Sequence, residues 1–589
     1  MNMHEWPHGR WVCDTLPSEK YRIWTRANAG EVMPEPVSPM SATLSMGTAG
    51  EQGWRDAYVT GGTARRSEFE PDRMNCMGIF GGYLFLNMSL TRIFGVRCPG
   101  MTPELVDLQY FGDMPGIPSY ESEARSTDVD EECSIRLGEW IQRALGVDDL
   151  PELRADRAQV DRRIAARPEL SMLPDQELVD HARSYIPLYR RLFCRHIMVS
   201  SLTGVGLGMV GGVCAAIGKP ELMMTLVSGL GDVDSAAPSW AMWDMGRVVA
   251  SSASLSTAFD GGVEGLLDRI QELGAAGDES AAMFLGHWTR FVARFGSRGP
   301  NEWELRSHVW GTHPEIALVA IDRMRFAPDG ESPQTRTDRR IAEREAASAA
   351  IRAALADNDE ALATFEAGLN ASHVYAPGRE RSKTNCILVA HEMRLPLREW
   401  GRRLVERGAF DHIEQVFMLT DDELDAAVAD PAAFTEIVRE REAYYLSLFE
   451  VEPPFVMVDQ PPPMSDWPTR DTSTTVAAVG TTLTGISGCP GVAVGRARVV
   501  LDPADPRGLE PGEILVAPHT DPAWTPLFVT AAAVVVDVGA QITHAVIVSR
   551  ELGLPCVVSA IGATRTIPDG ALIEVDGALG TVKVLELPA

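Results

Sequence analysis

The stretch from Val534 to Val558 constrains this chain more than any other. Three consecutive valines, Val534 to Val536, predict a buried strand. Gly539 and Ala540 then make a turn. Apolar residues at helical spacing follow, and Gly553 and Pro555 end the helix. His544 therefore falls at or near a helix N-terminus. The helix dipole and the unpaired N–H groups there favour an anion, including a phosphate. Neutral imidazole is a good nucleophile near pH 7, so a histidine in this place can carry phosphate on a ring nitrogen. Taken alone, a histidine near a helix start is usually a cap or a packed polar residue.

The 589 residues suffice for two to four domains with large cores. A net charge of −29 argues against general binding to nucleic acid or an anionic membrane. The nine cysteines are scattered, with no Cys-x-x-Cys pair, which fits thiols in a reducing cytoplasm. Met1-Asn-Met-His-Glu-Trp6 lacks the regions of a signal peptide, and no run of about 18 uninterrupted apolar residues predicts a membrane span.

The clearest boundary is rich in proline (Pro453, Pro454, Pro461, Pro462, Pro463 and Pro468) and then in serine and threonine. This composition predicts a semi-rigid connector over 452–482. It separates a mainly helical (α+β) region, 1–451, from a small domain of short strands, 483–589. Strands are expected at Val492–Val500, Glu513–Ala517, Ala532–Val536, Cys556–Val558, Leu572–Val575 and Thr581–Leu585. Helices are expected over Asp175–Ser200, Arg339–Asn370, Thr384–Gly408 and Pro431–Phe449. Gly206-Leu-Gly-Met-Val-Gly211 satisfies a dinucleotide pattern, but no strand clearly precedes it, so close helix packing is the better reading. Gly218-Lys219 is followed by Pro220 and makes no phosphate loop. His391-Glu392 lacks a second histidine at zinc spacing, so no metal ligands are assigned.

Thr543-His-Ala-Val-Ile-Val-Ser-Arg-Glu-Leu-Gly-Leu-Pro555 resembles the signature of the phosphohistidine, or swivelling, domain of the phosphoenolpyruvate (PEP) synthase and pyruvate phosphate dikinase superfamily. Gly488-Cys-Pro-Gly-Val-Ala-Val-Gly495 opens the domain as in that family, and Thr520-Asp-Pro-Ala-Trp-Thr-Pro-Leu-Phe528 resembles a stretch of its acceptor-phosphorylating branch. Ile23–Pro39, Phe295–Leu305, Arg379–Lys383 and Val416–Leu424 resemble the acceptor-binding domain of rifampicin phosphotransferases. An acceptor domain joined to a phosphohistidine domain also resembles the layout of phenylphosphate synthase. That resemblance implies an ATP-grasp domain on a separate partner subunit, which binds ATP and Mg2+ and loads His544. It further implies transfer to the hydroxyl of a phenol or cresol, with AMP and inorganic phosphate released. A rifamycin-type antibiotic is the alternative acceptor, and a non-catalytic phosphocarrier switched by His544 is the alternative from another class.

The resemblance makes His544 the phosphate carrier, with Thr543 and Arg550 as its helpers. A phenol with a pKa near 10 loses its proton as it attacks, so a carboxylate base and cations would assist. Candidates are Arg298, Glu380 and Lys383 as catalytic groups, with Glu31, Glu302, Arg379 and Arg381 at the acceptor. Glu380 and Lys383 are three apart and share a helix face, which equally suits an ordinary ion pair. Trp24, Trp240, Trp243, Trp303 and Trp310 read as core packing or as walls of an aromatic pocket.

Overall fold

The computed structural model describes residues 11–588 other than 113, 115, 232, 329, 331, 471–476, 504–508 and 541–542. Met1–Trp6, Gln541, Ile542 and residues 471–476 of the expected connector lie outside the described residues. The protein is multidomain and mostly helical, with a small sheet-containing C-terminal part. The chain divides into two compact units. The first comprises Met1–Gly204, Trp303–Ser307 and Val374–Asp471; the second comprises Val205–Glu302, His308–His373 and Thr472–Ala589.

The first unit contains a small antiparallel sheet in the order β2-β3-β1-β4, with β1 Ile23–Thr25, β2 Met77–Phe80, β3 Tyr83–Asn87 and β4 Val456–Val458. Gly81 and Gly82 have φ of 55° and 79°, as a two-residue primed hairpin turn requires, and Asp14 accepts both of their N–H groups. The β4 strand lies inside the stretch expected as connector. It pairs with β1 because Val456–Val458 is a proline-free apolar island between Pro454 and Pro461. Trp24 is fully buried and stands edge-on to Phe80 at 5.0 Å. The helix Met88–Arg97, capped by Asn87, packs against β1, and Glu131–Leu145, capped by Asp130, packs on that helix.

The second unit holds β5 Thr482–Thr484, β6 Ile486–Cys489, β7 Val492–Val499, β8 Ile514–Ala517, β9 Ala533–Val536, β10 Cys556–Val558, β11 Leu572–Asp576 and β12 Thr581–Glu586. Their order is β5-β12-β11-β7-β8-β9-β10-β6. The segment β7-β8-β9-β10 is parallel. Thr525–Thr530 lies between β8 and β9, and His544–Leu552 between β9 and β10. The valine run is apolar throughout because both faces of β9 are buried. Val534 and Val536 join a cluster with Trp524, Phe528, Val546 and Val548, while Ala533 and Val535 join Ile514, Val516 and Val557. The first of these clusters also takes in Met242, Trp243, Phe284 and Trp310 from the helical part of the same unit. Tryptophans 24, 243, 303 and 310 are all buried.

The expected helix Asp175–Ser200 is two, Asp175–Arg183 and Ile186–Ala216. By length and composition the run Asp175–Ala216 could cross a membrane, but half of its most apolar window is buried inside the structure. The glycine-rich pattern lies within this helix. A Cβ on Gly206 would sit 2.9 Å from the Ser372 nitrogen, and one on Gly368 would sit 2.7 Å from Met209 Cβ. The glycines therefore let two helices approach closely. Gly208 faces open space. Gly208→Ala should raise stability by up to about 1 kcal/mol through helix propensity. Gly206→Ala should lower it by about 1–3 kcal/mol through overpacking. Urea unfolding of the two variants checks the contrast, and equal effects would remove the packing explanation.

Candidate active site

His544 is the first residue of the helix His544–Leu552, and Thr543 is its N-cap. Thr543 gives its hydroxyl hydrogen to the Ala540 carbonyl (2.7 Å) and makes no side-chain cap bond. The imidazole is buried, 6% exposed, and both nitrogens are held. Nδ1 lies 3.1 Å from Thr520 Oγ1 and Nε2 lies 3.0 Å from Thr525 Oγ1. Phe528 stands edge-on to the ring at 5.9 Å. A phosphoryl group on either nitrogen would take the place of a threonine hydroxyl. The helix dipole then favours its negative charge.

Buried polar side chains surround this histidine within the second unit. The Thr525 hydroxyl also lies 3.4 Å from the Ser235 carbonyl, and Arg298 Nη2 lies 3.5 Å from Ser235 Oγ. Arg298 Nε donates to Glu302 Oε2 at 2.6 Å, and both side chains are almost fully buried. Asp521 joins the two motifs, since it accepts the N–H of Asn301 at 2.7 Å and that of Ala523 at 2.9 Å. Asn301 has φ of 48°, the left-handed turn that brings Glu302 back toward Arg298. The structure therefore brings Arg298 and Glu302 into the same polar network as His544.

Arg550 is buried in the last turn of the helix, six residues and about 9 Å along the axis from His544. Its charge acts on Cys489 and Cys556, whose thiols burial pushes up to about 11 and about 12. Glu551 accepts the N–H groups of Leu230 and Gly231 at 3.0 and 2.9 Å, and burial raises its pKa. Asp537, beyond β9, is pushed up to about 6 by burial, although Thr564 donates to it from both backbone and hydroxyl.

The remaining predicted residues belong to the first unit. Glu31 is buried in a short helix, Ala29–Val32, that follows Asn28 at φ 62°. Arg379, Glu380, Arg381 and Lys383 lie in one long helix, Asp359–Glu406. Glu380 is buried and pairs with Arg379 Nη1. Next to them is a histidine that the sequence did not single out, His196 of Ile186–Ala216. Its Nδ1 lies 3.0 Å from Ser382 Oγ. Burial, then Arg379 and Lys383, lower its pKa to about 3, against the pull of Glu380. His391 accepts from Arg394 Nη1 at 3.1 Å; burial and that arginine push its pKa well down. A cleft lined by Trp140, Arg143, Met198, Leu202 and Tyr375 contains none of the predicted residues.

Thr520 and Thr525 stand in a stretch whose resemblance was legible, although neither hydroxyl had an assigned role. Ser235 and His196 carried no signal, because nothing in their neighbouring sequence sets them apart from packed polar residues.

Residues 509–580 match the mobile domain of PEP-utilising enzymes, and residues 194–380 match the fourth domain of rifampicin phosphotransferase. The chain thus carries a stretch similar to the mobile, swivelling domain of PEP-utilising enzymes and a second one similar to part of rifampicin phosphotransferase. An uncharacterised protein of Mycobacterium tuberculosis strain H37Rv is 29% identical over 98% of this chain and 63% of its own length. A rifampicin phosphotransferase of a Streptomyces species is 32% identical over 56% of this chain and 37% of that protein. The prodigiosin synthesizing transferase PigC of Serratia marcescens is 31% identical over 52% of this chain and 34% of that protein. The chain thus spans about two thirds or less of the length of these relatives.

Proposed function

We propose that the chain is the acceptor-binding and phosphate-carrying part of an ATP-dependent phosphotransferase. His544 takes a phosphoryl group that originates in ATP and passes it to a hydroxyl of a rifamycin-type acceptor. The observation that carries this reading is the burial of His544 at a helix N-terminus between two threonine hydroxyls, in one network with Arg298. The matches to rifampicin phosphotransferase favour an antibiotic acceptor over the phenol or cresol expected from the domain layout. ATP, held with Mg2+ by an ATP-grasp domain that we place on a partner, supplies the phosphate, and the metal ion offsets its charge. We assign the reaction to the cytoplasm, where ATP is available.

Transfer of this kind is mostly positioning and charge stabilisation. Burial excludes water from the histidine, and a phosphohistidine there would be protected from hydrolysis. Arg298 is a planar donor suited to phosphate oxygens, and Glu302 fixes its orientation. Because Thr520 and Thr525 hold both ring nitrogens, one of them yields before phosphate attaches. We assign the C-terminal domain a swing between loading and transfer positions.

The test uses a donor that needs no partner. The full chain is treated with potassium phosphoramidate, which phosphorylates accessible histidines. Label is located by mass spectrometry under alkaline conditions. Rifampicin, phenol and cresol are then added separately. Phosphate on His544 that moves to rifampicin supports the proposal, whereas movement to phenol alone restores the phenolic reading. Phosphate that stays on His544 with every acceptor would leave a carrier without an acceptor activity.

A further inference from the structure

We propose that His196 takes the proton from the acceptor hydroxyl, and that it does so through Nε2. The proposal rests on the phosphotransferase reading and names the base for its acceptor site. Hydrogen-bond bookkeeping identifies the nitrogen. A serine hydroxyl has one hydrogen to give. Ser382 gives it to the Arg379 carbonyl at 2.8 Å. Toward His196 Nδ1, at 3.0 Å, the same oxygen acts as an acceptor. Nδ1 therefore carries the ring hydrogen. Neutral His196 is left with its lone pair on Nε2, which has no hydrogen-bond partner among the described residues.

The surroundings suit an aromatic, oxygen-rich acceptor. Trp303 stands 5.9 Å from His196, and Phe193 stands 5.9 Å from both Trp303 and Tyr189. The indole Nε1 of Trp303 and the hydroxyl of Tyr189 are buried donors with no partner among the described residues. Such donors cost free energy unless something meets them, and acceptor carbonyl or hydroxyl oxygens would do so. Arg379, Glu380 and Lys383 come from the same stretch of helix as Ser382. Burial and the two cations keep Nε2 unprotonated at neutral pH. A phosphoryl dianion arriving beside those cations offsets their pull and raises the affinity of the ring for a proton.

In the step itself, the acceptor oxygen attacks phosphorus as its proton moves to His196 Nε2. The O–P bond forms, and the N–P bond breaks with its electron pair passing to the His544 nitrogen. The ring of His544 takes up a proton from solvent, and His196 later returns one.

The experiment compares wild type, His196→Asn and Ser382→Ala in the full chain, each with His544 loaded by phosphoramidate. The asparagine keeps a donor for Ser382 but has no basic nitrogen. Thermal unfolding and the extent of His544 loading verify that each variant is folded. The acceptors are rifampicin, phenol and 4-nitrophenol at pH 8, where 4-nitrophenol is already ionised. We expect His196→Asn to slow transfer to rifampicin by about 10²–10⁴-fold, the usual contribution of a general base, and to slow transfer to 4-nitrophenol by less than about 5-fold. Ser382→Ala should slow rifampicin transfer by about 10-fold, by freeing the tautomer. Equal losses with all acceptors would reduce His196 to a structural role, and no loss would make it a bystander. Either result overturns the proposal while wild-type transfer upholds the phosphotransferase reading. Failure of wild type with every acceptor would overturn both.

Discussion

His544→Ala is expected to abolish phosphate capture and to lower transfer by at least about 10⁴-fold, because no other group replaces a lost nucleophile. The alanine leaves Thr520 and Thr525 without the ring that holds them, a cost of about 1–3 kcal/mol for buried hydroxyls. The helix itself should persist, since its C-terminal stop at Gly553 (φ 71°) and its apolar contacts through Val546 and Val548 do not involve the histidine. His544→Gln separates the two effects. Its amide can still bond to a threonine, so stability should stay closer to wild type, yet an amide nitrogen cannot carry phosphate. Phosphopeptide mapping after loading is the measurement. Label that survives in both variants would place the carrier elsewhere and sink the assignment.

Arg298→Met should have the second-largest effect, on stability and on transfer together. The guanidinium is 2% exposed and its partner Glu302 is 1% exposed. Removing the cation strands a buried carboxylate, which costs about 3–5 kcal/mol. Adding Glu302→Leu removes the stranded charge, so the double variant should recover most of that stability. Transfer should not recover, because the donor for the phosphate oxygens is still gone. Urea unfolding and transfer assays on the single and double variants test both halves. A double variant with near-native transfer would show that the pair is only structural.

Much of the C-terminal sheet was legible. All six expected strands form, with ends within about a residue or two, because turn residues bracket short β-branched runs. The short strands Thr482–Thr484 and Ile486–Cys489 were not foreseen, because glycine at 485 and 488 weakens the pattern around them. The helix expected at Thr384–Gly408 is the end of a 48-residue helix that passes through Pro377 and Pro396. Local rules would stop a helix at each proline. Both prolines are buried, and tertiary packing carries the helix past them.

The sequence alone determined the phosphohistidine signature, its place between a strand and a helix, and the close packing of the Gly206 helix. These depend on residue type and spacing within a few turns of chain, and such local patterns survive without knowledge of the fold. The network around His544 was decided only in three dimensions. Arg298 stood in a legible motif and Asp521 and Thr525 in another, but no local pattern joins the two motifs to each other or to Ser235. The tautomer of His196 is of the same kind. It follows from one serine hydrogen already spent on a carbonyl, and only the packing of two distant helices brings that serine to the ring.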